Sequence, residues 1–224
     1  MDEELSREEL TTIVSTVAGA LDSFEIRYAI MGGAAICLIA DDPNRRTKDV
    51  DLVIQVDERS ITADKLTHRL LTSYPDHFGP INQFGHIIPG YKLTLPGGKL
   101  RLVDLEVFDE QSWPERPQYD LQTTTAMIVP VNERQVKIFN PAWLLREKIL
   151  SQHGRQGSAK EQTDIADLRS MLILVFWGQP ELNFDNGPLK DNLEKALTSL
   201  LQKRPEWRPL LREKIKCAAV FGNW

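Results

Sequence analysis

Apolar residues at Leu10, Ile13, Val14, Val17 and Leu21 recur at three- and four-residue spacing, which predicts an amphipathic helix over 6–24. Ser6 followed by Glu9 supplies its capping box. Residues 26–31 alternate like a strand and stop at Gly32-Gly33. The small apolar run 34–40 predicts a short buried helix, closed by the turn Asp41-Asp42-Pro43-Asn44. Residues 49–56 form a strand that is apolar but for the carboxylates near its start, and 59–73 form a helix with Ile61, Leu66, Leu70 and Leu71 on one side. The Gly- and Pro-rich stretch 75–99 reads as a loop with one short strand near 91–95, and Pro96-Gly97-Gly98-Lys99 as a hairpin turn. Residues 100–108 are a second carboxylate-bearing strand, and 126–130 and 134–139 a pair of short strands. After Asn140-Pro141 the pattern turns helical, over 141–153, 159–175, 188–203 and 206–217. The chain therefore reads as a mixed α/β part, 1–140, followed by an all-helical part, 141–224.

Composition narrows the class without naming a function. Of the 224 residues, 42% are hydrophobic and 26% charged, values of a folded globular protein that exclude a collagen-like fibre, a coiled-coil rod and a disordered tail. Lys and Arg number 27 against 32 Asp and Glu, a net charge of −5, so bulk charge does not hold nucleic acid. The local run Lys203, Arg204, Arg208, Arg212, Lys214 and Lys216 fits either an RNA-touching patch or a solvated helix face. The two cysteines, Cys37 and Cys217, make no zinc pattern, and Cys37 lies in an apolar run as a small core residue. His68, His77, His86 and His153 are scattered without ligand spacing. With an acidic N-terminus and no apolar run near 20 residues, the expectation is a soluble cytoplasmic protein with no membrane partner, a nuclear one being the alternative.

The chemistry concentrates in 28–54. A strand, then Gly32-Gly33, then a helix is a geometry that cradles phosphate, because glycine lets backbone N–H groups approach an anion at a helix N-terminus; a bare turn is the alternative. Asp49 and Asp51 are two apart on a strand and share a face. Two like charges side by side call for a cation, and hard oxygen ligands suit Mg²⁺ together with substrate phosphates. The following Leu52-Val53-Ile54 argues against a simply solvated face. Asp104 and Glu106 share a face of strand 100–108, and if that strand lies beside 49–56, one of them completes a three-carboxylate cluster; an edge strand with a solvated acidic row is the alternative.

Met31-Gly32-Gly33, fifteen residues, then Asp49-Val50-Asp51, with a later Val103-Asp104-Leu105, resembles the DNA polymerase β-like nucleotidyltransferase superfamily. Within it the sequence is most similar to the abortive-infection toxin type, through Arg45-Arg46-Thr47-Lys48-Asp49, the helical Leu144-Leu145-Arg146-Glu147-Lys148-Ile149, then Arg155, Lys160 and Thr163-Asp164-Ile165-Ala166-Asp167-Leu168. The resemblance covers roughly residues 25–175. It implies an α+β fold, a mixed sheet flanked by helices with a helical C-terminal part. The implied activity is Mg²⁺- or Mn²⁺-dependent transfer of NMP from an NTP such as ATP to an acceptor hydroxyl, with release of pyrophosphate. The acceptor is a tRNA, a protein or a small molecule, and a catalytically silent nucleotide-binding or interaction module of the same fold is the rival reading. In the implied roles Asp49, Asp51 and Asp104 hold metal, with Asp104 the base and Glu106 its competitor. Gly32 and Gly33 hold the triphosphate, and Arg45 (or Arg46), Thr47, Lys148 and Lys160 bind nucleotide, with Asp164 a weaker carry-over. Ala34-Ala35 stand where the family often has a small polar residue, so backbone amides carry more of the phosphate contact.

Overall fold

The computed structural model describes residues 4–109, 121, 126–187 and 189–222. Its contacts divide the chain into two compact units, Met1–Phe139 and Asn140–Trp224.

The first unit opens with α1 (Arg7–Ser23), whose capping box forms as its sequence predicts: Glu9 N–H donates to Ser6 Oγ and Ser6 N–H to Glu9 Oε2. Leu10, Ile13, Val14, Val17 and Leu21 make its buried stripe. Then come β1 (Tyr28–Met31), buried throughout, α2 (Gly32–Ile39), β2 (Val50–Ile54) and α3 (Ala63–Ser73). Helix α3 starts four residues later than the periodicity from 59 predicts, because its start is set by two acceptors. Thr62 Oγ1 takes the Lys65 N–H, and the buried carboxylate of Asp109 takes the Ala63 N–H at 2.7 Å.

The stretch expected to be mostly loop folds into a hairpin, β3 (Phe78–Gln83) and β4 (His86–Thr94). Phe84 (φ 51°) and Gly85 (φ 84°) both take positive φ, the conformation a two-residue hairpin turn needs. Gly79, Pro80, Pro89 and Gly90 disguise the alternation, but they face one another in register, Gly79 opposite Gly90 and Pro80 opposite Pro89. The turn at 96–99 leads, as predicted, into β5 (Leu100–Phe108). Strands β6 (Ala126–Val131) and β7 (Arg134–Phe139) complete a seven-stranded mixed sheet of order β3-β4-β5-β2-β1-β7-β6. Its centre pairs β2 antiparallel with β1 and parallel with β5.

The second unit is helical: α4 (Pro141–Gly154), α5 (Ala159–Leu172), α6 (Lys190–Lys203), α7 (Arg208–Arg212) and α8 (Ala218–Phe221). Asn140 caps α4 through the Trp143 N–H, with Pro141 in the first turn. The helix expected over 159–175 ends at Leu172. The one expected over 206–217 forms as α7 and ends at Arg212, because Lys216 leaves helical geometry to pair with Leu182 and Phe184 through backbone hydrogen bonds, and α8 begins beyond it. Among the described residues, no helix is long and apolar enough to cross a membrane.

Candidate functional site

Antiparallel pairing of β1 with β2 sets Met31 opposite Asp51, so the Gly-Gly turn at the end of β1 comes up against the carboxylates at the start of β2. Gly32 takes φ +62°, and a Cβ there would overlap the Asp51 carboxylate. Only glycine satisfies both constraints. A Cβ at Gly33 would meet Thr47 Oγ1 at 2.8 Å and Arg45 Nη2 at 3.2 Å. Asp51, Arg45 and Thr47 therefore converge on the first turn of α2, where no side chain caps the helix. Backbone N–H groups and the positive end of the helix dipole face this point, the arrangement that suits an anion.

Parallel pairing of β2 with β5 brings in the third strand. Asp51 lies directly opposite Glu106, and Val50 opposite Leu105. Asp104 precedes Leu105 as Asp49 precedes Val50, and residues two apart on a strand share a face. All four carboxylates are half-buried, between the fully buried Val50, Leu52, Val103, Leu105 and Val107. A solvated acidic edge is thus not what forms, since β2 and β5 are both interior strands of the sheet. Among the described residues, no three His, Cys, Asp or Glu side chains are gathered into a ready-made metal cage.

The loop before β2 separates its two arginines. Arg45 turns toward Gly33, while Arg46 Nη1 folds back on the carbonyls of Pro43 and Arg45. Thr47 is buried, and its hydroxyl reaches Asp49 Oδ1 at 3.0 Å. Supports that the sequence did not reveal hold this loop. Leu5 N–H donates to the Thr47 carbonyl at 2.7 Å, Arg7 Nη1 donates to the Cys37 carbonyl at 3.2 Å, and Cys37 Sγ–H donates to the Arg45 carbonyl at 3.4 Å. Cys37 is therefore both the core residue its apolar run predicts and a tie to the Arg45 loop. These contacts leave no sequence signature, since most involve backbone atoms.

No protein-family model matches the sequence, and no curated protein matches it. Among solved structures, the chain is similar to an antigenic nucleotidyltransferase-like protein from Paracoccidioides brasiliensis, with a TM-score of 0.91 and 59% identity over 99% of this chain and 100% of that one. The chain belongs to this nucleotidyltransferase-like family. It also aligns with the antibiotic-resistance factor ANT(2'')-Ia (TM-score 0.49, 12% identity, 92% of this chain and 97% of that one). A third likeness is to the lincosamide antibiotic adenylyltransferase LnuA, in a lincomycin-bound structure (TM-score 0.47, 12% identity, 75% and 99%). Likenesses of that size bear on neither the fold nor the substrate of this chain.

In this nucleotidyltransferase-like chain the residues picked out in the helical part meet one another. Lys148 Nζ bonds Asp164 Oδ1 at 2.6 Å and Asp167 Oδ2 at 2.8 Å, and Arg155 Nη1 bonds Asp164 Oδ2 at 3.1 Å. Both aspartates are buried and Lys148 is 8% exposed, so two cations balance two carboxylates. Lys148, implied by the resemblance to bind phosphate, spends its charge inside this cluster. Lys160 stands exposed. The C-terminal basic run is partly used locally: Lys203 bonds Glu161 at 2.6 Å and, with the Gly157 amide, holds that carboxyl below the usual carboxylate range, while Arg208 donates to the Val220 carbonyl.

Proposed function

We propose that the first unit transfers a nucleoside monophosphate from an NTP to an acceptor hydroxyl and releases pyrophosphate. The observation that carries this is the meeting of Asp51 with Gly32 and Glu106: one carboxylate lies against the glycine turn that opens α2 and level with a second carboxylate on β5. An anion cradle and an oxygen-donor row side by side are what a nucleotide triphosphate with a divalent cation requires.

The donor set fits Mg²⁺ or Mn²⁺. All donors are hard oxygens, and one or two carboxylates plus substrate phosphates make up an ordinary Mg²⁺ shell, so a closed protein cage is not needed. Asp49 and Asp51 would hold the metal, with Asp104 or Glu106 from β5. When bound, it supplies charge stabilisation to the phosphoryl oxygens. The chain's own groups do the rest. Backbone N–H groups of Gly32 and Gly33 hold phosphate, and Arg45 adds a planar cation beside them. The acceptor oxygen attacks the α-phosphorus, its proton passes to the carboxylate of Asp104 or Glu106, and the bond from α-phosphorus to the pyrophosphate oxygen breaks.

The abortive-infection toxin type is the finer assignment we favour, because Thr47, the middle residue of its Arg-x-Thr-x-Asp pattern, acquires a physical role by orienting Asp49. Thermal melting tests the site. Wild type stabilised by Mg²⁺ plus ATP, with Asp51→Ala indifferent to both, is the expected result; equal responses would favour the silent module instead.

A further inference from the structure

The sheet face that carries Asp51 and Glu106 does not end at β5. Asp104 lies opposite Gly90, and Gly90 opposite Gly79. Strand partners in register share a face, so Leu102 of β5, Ile88 of β4 and Ile81 and Gln83 of β3 stand on the carboxylate side. Gln83 Nε2 reaches Glu106 Oε1 at 3.5 Å, which ties the hairpin to the carboxylate row. A Cβ at Gly79 would lie 3.1 Å from Leu102 Cδ2, and one at Gly90 would overlap Ile81, so these two side chains lean over the glycine pair. On the opposite face Phe78, Tyr91, Leu93 and Val103 are all buried, while Pro80, Asn82 and Ile87 toward the hairpin tip are exposed. On the carboxylate face Leu102 is 40% and Leu100 60% exposed, and Ile81 and Ile88 are half-buried.

The result is an apolar shelf that runs continuously into the carboxylates. Among the described residues of β3, β4 and β5 on this face, the lysine and arginine complement is Lys92 alone, and its ammonium is bonded to the Pro75 carbonyl at 2.7 Å. A polyanion would meet the three carboxylates Asp51, Asp104 and Glu106 against the single ammonium of Lys92 on these strands. A polycation would satisfy the carboxylates but leave the leucine and isoleucine surface against strongly hydrated groups.

We propose that this shelf is the acceptor subsite of the transfer described above, and that it takes an uncharged small molecule with a hydroxyl group on an apolar body, for which an alkyl glucoside is the simplest probe. The assignment rests on the nucleotidyl-transfer reading. The acceptor hydroxyl lies at Asp104 and Glu106, where its proton is taken as its oxygen bonds to the α-phosphorus and pyrophosphate leaves. The apolar body lies on Leu102, Ile81 and Ile88.

The test uses the full-length protein with hexyl, heptyl and octyl β-glucoside below micelle-forming concentrations, titrated calorimetrically, with ATP binding measured in parallel. Binding is expected to tighten about two- to fourfold per added methylene. Leu102→Glu should abolish that dependence while ATP binding stays at the wild-type level, and Leu102→Met should keep it. Wild-type affinity that is flat with chain length, or a Leu102→Glu protein that binds octyl glucoside as wild type does, overturns the shelf and leaves the transfer reading standing. A wild-type protein that binds the glucosides but no NTP contradicts the transfer reading, and with it the acceptor role.

Discussion

The hydroxyl of Thr47 lies 3.0 Å from Oδ1 of Asp49 and 3.3 Å from Asp49's own carbonyl oxygen. It is buried there, and its backbone carbonyl is held by the Leu5 N–H. A buried hydroxyl that holds one carboxylate oxygen fixes which oxygen is left to face a ligand in the proposed site. Thr47→Val keeps the shape and removes the donor. Transfer activity and apparent Mg²⁺ affinity should fall about 10- to 100-fold, the usual cost of losing a group that orients a ligand, while Thr47→Ser retains most of both. A Mg²⁺ titration of activity separates this from a loss of fold, which would lower the active fraction without moving the midpoint.

Gly32 and Gly97 both take positive φ, but of the two only Gly32 brings added bulk against the Asp51 carboxylate. Alanine at either position carries about 1–2 kcal/mol of backbone strain. Gly32→Ala must also displace the Asp51 carboxylate, and a shift of about 1 Å in a reacting constellation costs on the order of a hundredfold in rate. Gly32→Ala should therefore melt at or below Gly97→Ala, and only Gly32→Ala should lose activity.

Lys148 makes a test of the helical unit. Replacing it with Met leaves Asp164 and Asp167 buried, with Arg155 still bonded to Asp164. Breaking a buried pair from one side costs about 3–5 kcal/mol, so the melting temperature should drop by roughly 10 °C. Lys148→Met/Asp164→Asn should recover part of that loss, as the uncompensated charge is removed. An unchanged melting temperature with reduced nucleotide affinity would instead assign Lys148 to phosphate.

Tyr28 gives a pH signature. It is 2% exposed, and burial, followed by the charge of Asp22, pushes its phenol up to about 12. The unfolded chain ionises the same group near pH ~10, so the folded state favours the neutral phenol. That preference is fully present below pH ~10 and is lost as the pH rises through about 12, on the order of 2 kcal/mol. Absorbance at alkaline pH should show a phenol ionising near pH about 12, and Tyr28→Phe should remove that step.

Much of the core was legible because it repeats simple periods. The α1 stripe, the capping box at Ser6 and Glu9, and the strand through Val50 and Asp51 appear where the pattern sets them, although β2 starts at Val50 and leaves Asp49 just before it. That β5 pairs with β2 was a condition in the sequence, and the register supplies it by placing Glu106 beside Asp51. The hairpin at 78–94 was hidden because Gly79, Pro80, Pro89 and Gly90 break the hydrophobic alternation, although they match one another across the ladder. The choice between Arg45 and Arg46 depends on side-chain direction within a turn, for which composition has no signal. The break between α7 and α8 depends on a pairing of Lys216 with residues some thirty positions earlier, and local helix propensity carries no trace of it.

The central claim, nucleotidyl transfer at the Gly32–Asp51–Glu106 junction, is tested most directly with α-labelled nucleotides. Each of the four NTPs would be offered with Mg²⁺ to total tRNA, to the protein itself, to aminoglycosides and to alkyl glucosides, with Asp49→Ala/Asp51→Ala as the control. Label appearing on an acceptor with wild type and vanishing in the double variant is the predicted result. Label that persists in the double variant, or none on any acceptor from wild-type protein that still binds an NTP, would contradict it.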